Sequence, residues 1–141
     1  MRMLHATLTY FTSVFGLGFV LGAVRVPLLV PRLGERFAEL LELPIMLAAS
    51  YFLARWVVER CGPFSATQRL AVGTIALALM VVAELGVVVA VQGQPLTQYV
   101  ASRDPVSGTA YVLALIGFAC MPVLAGRFAA EHTRTQPRHG A

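Results

Sequence analysis

Lysine is absent from this chain of 141 residues, and all eleven basic residues are arginine. Charge of either sign is scarce: 13% of residues are charged, about half the fraction of an ordinary soluble domain. That scarcity excludes a conventional water-facing surface. The arginines stand one or two to a segment, with no basic patch interleaved with aromatics, which excludes a nucleic-acid partner despite the net charge of +4. Cysteine is nearly missing too. Cys61 and Cys120 are far apart and form neither a disulfide framework nor a metal-ligand spacing. His5, His132 and His139 stand in terminal segments without ligand spacing, so no metal and no cofactor is expected. Gly16-x-Gly18 does not join a strand to a helix and is no nucleotide fingerprint, and no Ser/His/Asp arrangement is readable.

What the chain has instead is apolar length. Hydrophobic residues make up 57% of it, and mean hydropathy is +0.73. Four apolar segments run over about residues 5–30, 36–58, 69–91 and 106–128. At ~1.5 Å per residue each reaches ~30 Å as a helix, the thickness of a bilayer's hydrocarbon core. Their length and lack of alternation exclude strands, and lipid tolerates only helices or closed barrels. Turn formers separate them: Pro31 to Gly34, Cys61-Gly62-Pro63, Gln92 to Pro95, and Arg103-Asp104-Pro105. The expected fold is all-α, a polytopic membrane protein with a four-transmembrane-helix bundle over residues 1–130. Residues 131–141 are polar and are expected to form a flexible tail. Leu21 stands where a cleavage site before Val24 needs a small residue, so the first segment is expected to remain as a helix.

Arginine counts set an expected orientation. Arg2, Arg55, Arg60, Arg69, Arg127, Arg134 and Arg138 fall on the side shared by both termini, against Arg25, Arg32, Arg36 and Arg103 on the other. For an inner-membrane protein, the positive-inside rule then predicts that both termini are cytoplasmic. Trp56 beside Arg55 fits an interfacial anchor, and Tyr10, Tyr51, Tyr99 and Tyr111 fit belt or bundle positions.

Glu84 breaks the apolar run from Leu70 to Val91. A carboxylate there costs ~2.5 kcal/mol or more, so it needs a partner or a purpose. It lies fifteen residues past Arg69, ~22 Å along a helix. Counting along the antiparallel segments puts Arg25, Glu39 and Glu42 at the same depth, with Ser107, Thr109 and Tyr111 opening the last segment at that level. Arg25, Glu39, Glu42 and Glu84 are therefore the expected buried polar layer, in which Arg25 pairs with Glu42 or Glu84. Arg103, Asp104 and Tyr111 are its expected outer lip. Glu35, Glu39 and Glu42 follow i, i+4, i+7 spacing and share a helix face. Pro44, just beyond, is expected to kink the second helix by removing the bond to the Leu40 carbonyl. Three carboxyls facing one guanidinium suggest a proton, a cation or a cationic ligand. Gly18-x-x-x-Gly22 and the Ala110, Ala114, Gly117 stripe are expected to let helices approach closely, within the bundle or across a homo-oligomer seam.

The stretches Arg32 to Leu47 and Ser102 to Tyr111, with the four-segment layout, resemble small bacterial four-helix integral membrane proteins. That resemblance implies fold and compartment and no activity. More distantly, Glu39-Leu-Leu-Glu42-Leu-Pro44 is similar to the second helix of the MAPEG family, in which an Arg-Asn pair precedes Glu and Pro. Here Ala38 takes the Arg position and Glu39 the Asn position. This resemblance implies a membrane-embedded transferase for a lipophilic or thiol substrate, with Glu42 orienting the ligand and Arg25 pairing with its anionic end. The residues themselves favour a non-enzymatic binding, transport-linked or accessory component, with the lipid bilayer and a second copy or another membrane protein as partners.

Overall fold

A computed structural model describes residues 1–93, 95, 97, 98, 101 and 104–135. The described chain is helical, with no strand among the described residues. It forms α1 (Arg2–Leu28), α2 (Val30–Leu33), α3 (Glu35–Cys61), α4 (Ala66–Gln92) and α5 (Pro105–Thr135). Four of these are long and apolar enough to cross a membrane.

Local chemistry explains the boundaries. The Pro31 to Gly34 segment, expected as a turn, contains the single turn α2. Pro31 sits in its first turn, where a missing N–H costs nothing, and Gly34 stops it at φ +79°. The α4 start comes three residues before the expected one because Ser65 and Gln68 form a capping box. Ser65 Oγ accepts from the Gln68 N–H at 3.2 Å, and Gln68 Oε1 accepts from the Ser65 N–H at 3.0 Å. At the α5 start, Asp104 Oδ2 accepts from the N–H groups of Val106 and Ser107, with Pro105 in the first helical position. The expected tail needs correcting at its beginning. Residues 131–135 continue α5, because nothing from Glu131 to Thr135 interrupts helical hydrogen bonding and the next proline is Pro137. Residues 136–141 lie outside the described residues.

The α1 helix packs on α3 and α4, and α5 packs on the same two, so α1 and α5 face each other across a diagonal. Two different kinds of interior fill the bundle. In one half, Ala6, Tyr10 and Val14 meet Val57, Val72, Ala76 and Phe118 in a closed core. Tyr10 stacks on Phe118 with ring centroids 4.6 Å apart, and its hydroxyl donates to the Phe118 carbonyl at 3.0 Å. Helices α4 and α5 approach closely at Gly73, where an added Cβ would lie 1.9 Å from the Ala119 carbonyl oxygen. The same edge continues at Gly126, whose missing side chain leaves the space that the Arg69 guanidinium occupies. The other half holds a cavity.

Outside, the bundle is apolar. Phe37 and Phe52 keep 66% of their surface exposed and Val82 keeps 69%, among many exposed Leu, Val and Ile side chains. In water an apolar surface of that extent is an association site; in lipid it is the matching solvent.

Candidate functional site, a polar cavity between the helices

The cavity has a volume of about 610 Å³. Each long helix supplies one face to it at three- and four-residue spacing. From α1 come Gly18, Gly22 and Arg25; from α3, Glu39, Glu42, Met46 and Ser50. From α4 come Met80, Glu84 and Val87; from α5, Ser107, Tyr111, Ala114 and Phe118. Such spacing puts each set on a single helix stripe, so the walls follow directly from four helices turned inward. Phe118 belongs to both regions: its ring forms part of the cavity wall and stacks on Tyr10 of the closed core.

The expected polar layer is gathered here. Arg25 Nη1 lies 3.3 Å from Glu39 Oε1, and Arg25 Nε lies 3.1 Å from Glu42 Oε2. The three side chains retain 24%, 14% and 18% of their exposure, so the cluster is mostly withdrawn from solvent. The Nε–Oε2 contact is close enough for an ion pair, yet its angles do not make a hydrogen bond. It contributes charge attraction without the directional term that a forked guanidinium–carboxylate pair has. The sequence left open whether Arg25 meets Glu42 or Glu84. It meets Glu42 together with Glu39, while Glu84 Oε2 accepts a hydrogen bond from the Tyr111 hydroxyl of α5.

The expected lip divides. Tyr111 is part of the cavity wall itself. Asp104 is instead tied to Arg36 of α3, with Nε–Oδ2 at 3.1 Å and Nη2–Oδ1 at 2.5 Å, while also capping α5. The Arg36 hydrogen bonds and the Ser107 N–H hold the Asp104 carboxyl below its ordinary range. Its role is a strap joining the ends of α3 and α5, and it is not among the cavity-lining residues. Arg103 lies outside the described residues.

Other expectations resolve in the same way. The α3 helix runs through Pro44 without a break, and the Pro44 ring is exposed while Glu42 and Leu43 turn to the cavity. Glu35 is exposed and lies off the lining, although it shares the spacing of Glu39 and Glu42. Thr109 bonds back to the Pro105 carbonyl of its own helix at 2.7 Å. Gly18-x-x-x-Gly22 turns out to be cavity wall: a Cβ on Gly22 would meet nothing within 4 Å, and one on Gly18 only the tip of Met46. The tight helix approach is at Gly73, which the sequence pattern did not mark, since a lone glycine among Leu, Ala and Val looks incidental.

Ser107 is the site residue that the sequence undervalued. Only 1% of it is exposed, it lines the cavity, and its Oγ has no hydrogen-bond partner among the described residues. The signal was present in its spacing, one turn before Tyr111 on the same face of α5. Among the described residues no cluster of His, Cys, Asp and Glu has metal-holding geometry. No protein-family model matches the chain, and no curated protein or solved structure matches it either.

Proposed function

We propose that this chain is a multi-pass protein of the bacterial inner membrane, with both termini cytoplasmic, that holds a small ligand inside its helix bundle as a non-enzymatic binding or transport-linked component. The observation that carries this reading is the cavity of about 610 Å³ with Arg25, Glu39, Glu42, Glu84 and Tyr111 in its wall. Ligand sites between bundle helices characteristically combine an apolar enclosure with a few convergent polar groups, in volumes of ~300–1,000 Å³. Intramembrane ionisable groups facing the bundle interior mark ligand or ion pathways. The apolar exterior and the arginine asymmetry support the compartment and orientation.

The transferase reading is less well supported, because Glu42, which it has orienting the ligand, and Arg25, which it has pairing with the ligand's anionic end, are engaged with each other. An accessory role, in which the charges only lock the helices, leaves the volume beside them without a purpose.

Native mass spectrometry of protein gently extracted from its own membrane tests the proposal. The expected result is a bound small molecule that is lost when Gly22→Phe fills the cavity. A stoichiometric second protein, with no small molecule in either variant, would overturn it in favour of the accessory role.

A further inference from the structure

Resting on the membrane placement and binding role proposed above, we infer that the cavity holds an uncharged single-chain amphiphile of the bilayer. Its hydroxyl-bearing head lies among Arg25, Glu39 and Glu42, and its chain runs into the bundle past Met46 and Met80. Three observations support this occupant.

The first is where the cavity opens. Among its described lining residues Phe19, Ala23, Val26 and Pro27 are exposed, and every other one is buried or half-buried. All four are apolar and all four belong to α1, with Phe19 keeping 64% of its surface exposed and Val26 60%. From Phe19 to Pro27 the opening runs ~12 Å along the flank of one helix. Gly22 lies within that span, and a Cβ added to it would meet nothing within 4 Å. A side slit with apolar edges suits a molecule that already resides in the hydrocarbon, because its chain passes from lipid to cavity without exposure to water.

The second is the order of polarity along the bundle. On each long helix the polar lining residue stands nearer the outer end and the apolar lining residues lie deeper. Phe15 lies ~15 Å inward from Arg25, Met46 ~10 Å inward from Glu39, Met80 ~6 Å inward from Glu84, and Leu115 ~12 Å inward from Ser107. An amphiphile standing in a leaflet has the same gradient, head near the surface and chain toward the midplane. The volume of about 610 Å³ is that of a site for a drug-sized ligand, which suits one chain with a small head. Methionine side chains at the deep end adapt to a flexible chain.

The third is the chemistry at the polar end. Arg25 lies against both Glu39 and Glu42, so cation and anions stand side by side there. A fully charged head of either sign would meet its own sign as well as the opposite one. A hydroxyl donates and accepts, so it can bond to guanidinium and carboxylate alike. Burying it also costs far less than burying an ion.

The test uses the purified full chain in phosphatidylcholine nanodiscs and photo-crosslinking with a diazirine-bearing palmitoyl chain. The chain is esterified to glycerol, left as the free carboxylate, or joined to a trimethylammonium head. Peptide mapping compares adducts on the wall residues Leu43, Met46, Met80 and Leu115 with those on the exposed Phe52 and Val82. The glycerol probe is expected to favour the wall by at least ~10-fold, and the two charged probes to bring the ratio near unity. A diazirine at the chain end is expected on Met80 and Leu115, and one beside the head on Leu43. Gly22→Phe is expected to abolish the wall adducts. Gly16→Phe, on the same helix but off the lining and with open space around its missing Cβ, is expected to keep them. The three probes on the unmodified chain keep the test independent of variants that fold poorly. Equal wall labelling by all three heads, or head and chain positions reversed, would overturn the inference and leave the binding role standing. Wall labelling no higher than that of the exposed face for every probe would also overturn it, and native spectra free of any small molecule would then remove the binding role as well.

Discussion

The two halves of this bundle use glycine in opposite ways. In the closed half, Gly73 lets α4 press against the α5 backbone, so that even one methyl group would collide with the Ala119 carbonyl. In the cavity half, Gly22 faces open space, and an added Cβ meets nothing within 4 Å. For a bundle in lipid, as proposed above, the hydrophobic drive between helices is weak and close backbone contact holds them together. The closed half supplies that cohesion, with the Tyr10–Phe118 stack at its boundary. The cavity half gives up packing and is held by charge instead: Arg25 across α1 and α3, Tyr111–Glu84 across α5 and α4, and Arg36–Asp104 linking α3 to the start of α5.

The strongest way to break this contrast is the same substitution in both halves. Gly73→Ala must displace backbone, and its expected cost of ~3 kcal/mol lies at the upper end of ordinary overpacking. A lowered melting temperature in detergent or nanodiscs is the readout, and an unchanged one would remove the distinction between the halves. Next in size is Arg25→Ala, which removes the guanidinium that lies against Glu39 and Glu42. Breaking a buried pair costs ~3–5 kcal/mol, and the residual exposure of this cluster puts the expected loss at or below ~3 kcal/mol. Adding Glu42→Gln should recover part of it, so a purely additive double mutant would argue against the pairing.

Acid sharpens the comparison at the strap. Because its partners depress the Asp104 carboxyl in the folded chain, the Asp104 contribution is present above the ordinary carboxyl range near ~4. It disappears as pH falls through the lowered folded value. The stability difference between wild type and Asp104→Asn should accordingly be present at neutral pH and vanish in strong acid. Gly22→Ala comes next: it should leave melting unchanged or raise it slightly, since no neighbour is touched and alanine is the better helix former by ~0.5–1 kcal/mol. The smallest expected effect is at Arg55–Glu59, an exposed i, i+4 pair at 2.8 Å within α3, where Arg55→Ala should leave melting unchanged within error.

Much of this was legible beforehand because it is local. Apolar runs of bilayer length, punctuated by Pro31, Gly62-Pro63 and Pro105, announce four long helices whatever packs against them. Depth counting then brought Arg25, Glu39, Glu42 and Glu84 to one level, since rise per residue is nearly constant along any helix. Rotation about the helix axes was the missing information. Depth alone could not choose between Glu42 and Glu84 as the partner of Arg25, send Asp104 to Arg36, or tell a glycine facing a cavity from one facing a carbonyl. Smaller misses were chemical: the Ser65–Gln68 capping box was there to be read and would have moved the α4 start.

By itself, then, the sequence determined that the chain is a set of long apolar helices carrying a few charges at matched depth, because helix length and rise depend only on residues near one another in the chain. Only the tertiary structure decided that α1 and α5 face each other across a diagonal, that Ser107 is buried with no hydrogen-bond partner among the described residues, one turn from the Tyr111 that donates to Glu84, and that the charges surround a volume. Those facts depend on how each helix is turned toward its neighbours, and side-chain contact between distant segments sets that rotation.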